Sequence, residues 1–329
     1  MAGIVALGVL GICLGGNAAE GNAGVQIALL AAALVLGEYL ASSETAHDRS
    51  LDSAVAALAL LAAGLWDGTG LIRVGSLALN SAELACPLLA VTLAGVPTAM
   101  GKDRERLLYA LSAAAVALVL MGSFAVLGVL VLVAATLFVL HAKHRVWALV
   151  ATTACCLAWA AGTCSGAEPE LTMWLNTPRD LYGSGWQLSL FLKTLAEATP
   201  LGAGQVSTLA ASIPDASTYA LARCVSAFGW VGLALVTVCT LSVIASGVRA
   251  VLSRTHAEKD QALAVTVCFA SFALVNVAYV FHLVPVPTLP FPLLSADGIG
   301  LAVAGVLVAS WTRAARQSLI PGTASDVTD

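Results

Sequence analysis

The residues best suited to chemistry sit in one long polar interruption of an otherwise apolar chain. Between about Thr163 and Arg223, roughly sixty residues pass without a membrane-length apolar run. They carry Trp174, Asp180, Trp186, Gln187, Lys193, Glu197 and Asp215. A membrane protein that sets one long segment in water does its chemistry or its recognition there. Asp215 is therefore a candidate catalytic carboxylate, and Trp186 and Gln187 are candidates for binding substrate. Two further acids, Glu38 and Glu83, fall inside apolar runs, where an ionisable group is costly and starts as a functional candidate.

The chain around these residues is 59% hydrophobic and only 10% charged, with a mean hydropathy of +0.92. Soluble domains carry about 25% charged residues, so a soluble protein is excluded. Continuous runs of Ala, Leu and Val, in place of alternating ten-residue segments, exclude a transmembrane β-barrel. The expected fold class is all-α, a polytopic integral membrane protein forming a single domain over 1–329. Four of the eight cysteines (Cys13, Cys86, Cys239 and Cys268) sit singly in apolar runs, where Cys is a small hydrophobe. No metal-ligand spacing is present, the five histidines are scattered, and no cofactor is expected.

Apolar runs fall at about 3–16, 23–41, 51–66, 82–99, 107–121, 123–141, 146–162, 223–248, 262–284 and 297–312, predicting ten spans. The first resembles a signal peptide but lacks a basic leading region, so it reads as a retained span. The fifth and sixth run together around Met121-Gly122-Ser123. A single helix of that length would be nearly twice what a bilayer needs, so a tight hairpin is expected there. With the N-terminus inside, eleven of the fifteen basic residues fall in inside loops, and Arg73, Arg179, Lys193 and Arg223 fall outside. That bias predicts a membrane protein with both termini cytoplasmic and the 163–223 loop, between spans seven and eight, on the outer face.

From Leu283 to Asp297 the sequence reads L-V-P-V-P-T-L-P-F-P-L-L-S-A-D, with four prolines in eight positions. Such a run cannot continue a helix and is pushed extended. Extended backbone at membrane depth needs protein or a water-filled cavity around it. The segment is expected to fold back into the outer end of the bundle and line a cavity, which makes Pro290, Pro292, Ser295 and Asp297 candidates for binding substrate.

The same segment resembles the signature of the SEDS family (shape, elongation, division and sporulation; RodA and FtsW are members), P-V-T-G-x-P-L-P-F-x-S-Y-G-G-S-S. Pro285, Val286, Pro290, Pro292, Ser295 and Gly298 agree without gaps, and Asn276 matches the Asn that precedes the signature. Trp174 to Gln187 resembles F-L-D-P-W-x-D-P-x-G-x-G-Y-Q at identical length. Ile213 to Gly229 resembles L-P-E-x-H-T-D-F-I-F-A-x-I-x-E-E-L-G with about one residue fewer. Ile72 to Cys86 resembles R-W-I-x-x-G-x-x-x-Q-P-S-E-L-A-K. The four matches occur in order, from about residue 25 to 316.

The resemblance implies a polytopic enzyme that polymerises lipid II at the outer face, partnered by a class B penicillin-binding protein, with no nucleic acid involved. Its proposed catalytic group is the Asp of H-T-D-F, a carboxylate suited to general-base work. Here Thr218 or Tyr219 takes that position, depending on where the gap is placed, and neither is a carboxylate. Asp215 corresponds to the Glu of L-P-E, one helical turn away. The Lys after P-S-E-L-A is Cys86, and the Asp of a central D-L-G-T/S element is lost at Leu120-Met121-Gly122-Ser123. Charged positions are gone while glycine and proline positions remain. Three functions follow from this pattern: a catalytically degenerate scaffold or regulator of peptidoglycan assembly, an active glycosyltransferase using a displaced acid such as Asp215, or a transporter of an undecaprenyl-linked lipid.

Overall fold

The computed structural model describes residues 22–42, 46–74, 77–141, 186–202, 220–252, 256–281, 283 and 289–294. In chain order the helices are α1 (Asn22–Ser42), α2 (Ala46–Trp66), α3 (Ser81–Gly95), α4 (Gly101–Leu120), α5 (Phe124–His141), α6 (Trp186–Glu197), α7 (Ala220–Leu252) and α8 (His256–Val280). Four of the described helices contain stretches long and apolar enough to cross a membrane: Asp48–Trp66, Phe124–His141, Arg223–Leu252 and Glu258–Val280. Two shorter apolar stretches are Ile27–Ser42 and Ser81–Gly95. Seven of the ten predicted runs thus coincide with helices, and those at 3–16, 146–162 and 297–312 lie outside the described residues.

The expected hairpin between the fifth and sixth runs is present. Gly122 has φ 67, the Gly122 N–H donates to the Val119 carbonyl and the Ser123 N–H to the Leu118 carbonyl. This pair of bonds closes α4 with a left-handed glycine cap, and α5 begins two residues later. Sequence reasoning gave the loop between α2 and α3 no structure. The chain there makes a small antiparallel pair, β1 (Leu71–Val74) and β2 (Leu77–Asn80), with Ile72 opposite Leu79 and Arg73 opposite Ala78.

α3 is the centre of the bundle. Almost every position along it is buried, including Leu88, Leu89, Val91 and Thr92, and it packs against α2, α5 and α8. A helix apolar all round belongs inside a bundle. The most extensive packing of α3 is with α2, and α8 presents Phe269 and Phe272 to the same core.

Polar contacts tie the two ends of the bundle. At one end lie the α2–α3 connection and the α4–α5 turn. At the other, Arg49 donates through Nε to the Leu40 carbonyl at 3.0 Å and through Nη1 to Gln261 Oε1 at 2.8 Å. Gln261 Nε2 then donates to Ser50 Oγ at 2.9 Å, and Ser50 Oγ to the Val91 carbonyl at 3.3 Å. Beside it, His141 Nε2–H donates to Asp260 Oδ2 at 2.8 Å, because a carboxylate can only accept. This end also carries Lys102, Arg104, Arg106, Arg249 and Lys259, so among the described residues it is the basic end. Arg73, Lys193 and Arg223 belong to the hairpin end, as the charge bias anticipates.

Candidate functional site

The hairpin end brings three of the predicted site residues into the core. Glu83 is in the first turn of α3 and is 9% exposed. Asn80 caps that helix, accepting the Ala82 N–H on Oδ1 at 3.0 Å and donating through Nδ2 to Glu83 Oε1 at 3.2 Å. An acid at a helix N-terminus is favoured by the aligned backbone dipoles. Pro87 has no N–H to offer the Glu83 carbonyl one turn back. Glu38, the other acid in a predicted span, is exposed on α1 and takes no part in this core.

Pro290 and Pro292 are both buried, within a stretch where Leu289, Phe291, Leu293 and Leu294 are at most 2% exposed. The proline segment therefore folds back into the bundle, as its sequence predicted. Asn276 on α8 holds it, donating from Nδ2 to the Leu289 carbonyl at 2.6 Å. Leu293 takes φ 63, a conformation that costs a non-glycine residue about 1–2 kcal/mol. The described part of the segment is packed core, and Ser295 and Asp297 lie outside the described residues. Replacing Asn276 by Ala leaves a buried carbonyl without its donor, at a cost of about 1–3 kcal/mol. The expected result is a lower melting temperature in detergent and faster proteolysis near Leu289, with the rest of the digestion pattern unchanged.

Trp186 opens α6 and is half-buried against a small cluster of Leu190, Leu195, Val225, Tyr279 and Val280. It thereby docks the long loop onto α7 and α8. Gln187 is on the same helix, and its side chain lies outside the described set, as do Asp215, Thr218 and Tyr219 altogether. The loop is anchored a second time at the turn after α6, where the Trp230 and Val231 N–H groups donate to the carbonyls of Thr199 and Pro200. Those donors are available because α7 is broken at Gly229, φ 61 and ψ −151. The single span expected over 223–248 is thus two helical pieces meeting at a kink, since the turn competes for the backbone donors.

One contact escaped sequence reasoning. Cys86 and Cys268, read as isolated small hydrophobes, face each other at 3.8 Å between Sγ atoms and are fully buried. Cys86 is one turn below Glu83 on α3, and Asn276 is two turns above Cys268 on α8, or about 12 Å. The facing sides of α3 and α8 therefore run from a dry thiol pair up to Glu83 and Asn276. The residues are 182 positions apart, and no local periodicity reports such a pairing.

A family model described as cell cycle protein, covering FtsW, RodA and SpoVE, matches residues 54–318. The chain belongs to this family. The FtsW/RodA/SpoVE match spans the whole hairpin-end core just described, from α2 through the proline segment. Among solved structures, a chain from work on coordination of polymerization and crosslinking by a peptidoglycan synthase complex is similar at 20% identity and TM-score 0.67. That match covers 96% of this chain and 97% of that one. The rod shape determining protein RodA of Thermus thermophilus is similar at 21% identity and TM-score 0.56, covering 94% of each chain. An aspartate-to-alanine variant of that RodA gives 19% identity and TM-score 0.56, covering 94% of this chain and 95% of that one. At these identities the likeness carries the fold. None of the curated proteins compared matches the chain.

Proposed function

We propose that this member of the FtsW/RodA/SpoVE family works in peptidoglycan assembly as a catalytically degenerate scaffold or regulator. One observation carries the reading: the described glycine, proline and asparagine positions kept from the SEDS signatures bear the fold, and several charged positions have been replaced. Gly122 caps a helix, Gly229 makes the α7 kink, Asn276 holds the proline segment, and Pro290 and Pro292 fill the core. The Lys position is Cys86, dry against Cys268. The aspartate of H-T-D-F is Thr218 or Tyr219, and a hydroxyl of either kind is no general base near neutral pH.

On this reading the chain is one domain with about ten spans in the cytoplasmic membrane, both termini inside and the 163–223 loop outside. A class B penicillin-binding protein is the partner, by analogy with the synthase complex to which the fold is similar. Glu83, Trp186, Gln187, Pro290, Pro292, Ser295 and Asp297 would shape a pocket able to hold an undecaprenyl-linked lipid, since such binding needs apolar grooves more than a base.

The test is polymerisation of lipid II by the purified chain, alone and with a candidate penicillin-binding protein. No glycan product on gels, together with co-purification of the partner, is the expected result. Glycan product that is lost in Asp215→Ala would overturn the reading in favour of a displaced acid. Movement of the lipid across liposomes without polymer would replace it by a transporter.

A further inference from the structure

At the basic end, the bundle holds a groove of about 530 Å³ between α3, α4 and α5. That volume is within the roughly 300–1,000 Å³ of ligand pockets. Its walls are apolar and include Leu93, Leu111, Ala134, Leu137 and Phe138. Leu108 and Phe138 are about half exposed, at 45% and 53%, so the groove opens sideways where bilayer would lie. It is on the opposite end of the bundle from Glu83, Asn276 and the proline segment.

Arg104 and His141 stand at its mouth. His141 is committed to Asp260. Arg104 is exposed, and among the described residues no carboxylate lies within ion-pair distance of it. Its neighbour Arg106 shows the contrast, being held by Asp103 at 3.1 Å. A guanidinium at the polar end of an apolar slot offers a fork matched to phosphate oxygens. Lys102 and Arg106 stand within two residues of Arg104 and are balanced by Asp103 and Glu105, so a preference for an anionic head rests on Arg104 itself.

We propose that this groove seats one acyl chain of an anionic glycerophospholipid, with the lipid phosphate on the Arg104 guanidinium. The volume takes a single chain, and the second remains in the bilayer through the lateral opening. The occupant holds α4 to α5 at the end opposite their turn. The inference depends on which end is basic and on the groove itself. It is independent of whether the chain polymerises glycan.

The experiment is native mass spectrometry of the full chain in detergent, titrated with phosphatidylglycerol, with phosphatidylcholine of identical acyl chains, and with polyprenyl phosphate. Phosphatidylglycerol should be retained about fivefold or more better than phosphatidylcholine, the effect of one cation on an anionic lipid. Arg104→Gln should bring the two lipids level. Leu111→Trp, which fills the slot, should lose both, with its melting temperature serving as the check on folding. Equal retention of the two lipids by the wild-type chain would overturn the proposal. So would a preference that survives Arg104→Gln, or displacement of phosphatidylglycerol by polyprenyl phosphate.

Discussion

Gly229→Ala is expected to be among the most damaging single-methyl changes in the described chain. The backbone at φ 61, ψ −151 is in a region occupied essentially by glycine alone, and forcing another residue there costs about 1–3 kcal/mol. The added Cβ would also run into the Thr199 carbonyl oxygen and the Gly202 nitrogen, which are main-chain atoms. They cannot move aside without losing the Trp230 and Val231 backbone bonds and the Trp230 Nε1 bond to the Ala198 carbonyl. Three such bonds at about 0.5–1.5 kcal/mol each raise the total to roughly 3–5 kcal/mol. Gly122→Ala is the internal control: its φ is 67, and a Cβ there meets nothing within 4 Å. It should cost only about 1 kcal/mol, the left-handed penalty alone. Thermal denaturation of both variants in one detergent checks the difference. Proteolysis should open at 198–202 in Gly229→Ala and not in Gly122→Ala. Equal melting temperatures would remove the docking turn from the account.

That kink has a bearing on function. The piece of α7 before Gly229 follows directly from the stretch that carries Asp215, Thr218 and Tyr219. The α6–α7 dock therefore joins the two described helices between which those residues fall in sequence.

Much of this architecture is legible in the sequence. Span positions are local properties of composition, so seven runs are recovered. The length of the apolar stretch over 107–141, nearly twice what a bilayer needs, was enough to place a turn around Met121-Gly122-Ser123. Proline spacing announced that 285–292 could be no helix, and burial of Leu289 to Leu294 follows from its apolar content. Three things were not legible for a common physical reason. The Cys86–Cys268 contact, the Arg49–Gln261 bond and the dock of the 198–202 turn on α7 join residues 30 to over 200 positions apart, and none carries a periodic signature. Arg49 was counted as a loop cation, and Gln261 and Ser50 were neutral residues at span ends. The break in α7 was hidden because Gly229 sits in an apolar stretch that looks continuous. Expected chemistry also misled in one place: Glu38 and Glu83 are alike in sequence, yet only Glu83 has a cap residue beside it and a core around it.

The second large effect concerns that missed network. Arg49 is 3% exposed, and its guanidinium bridges the end of α1, through the Leu40 carbonyl, to Gln261 on α8. Gln261 continues to Ser50 and Ser50 to the Val91 carbonyl, so one chain of bonds joins α1, α2, α8 and α3. Arg49→Met keeps the apolar stem and removes every donor, leaving two buried acceptors stripped at about 1–3 kcal/mol each. Against this stands the relief of no longer burying a cation, which offsets part of the loss. The acceptors win, because the guanidinium is already hydrogen-bonded through Nε and Nη1 where it sits, and a net loss of about 2–4 kcal/mol is expected. Arg49→Lys keeps the charge but offers a point in place of a fork, and should lose roughly half as much. The decisive measurement is the double-mutant cycle with Gln261→Leu. If the network acts as a unit, the double variant melts well above the sum of the single losses, with a coupling of about 1–3 kcal/mol. Strict additivity would mean that the four helices are joined at this end by apolar packing alone.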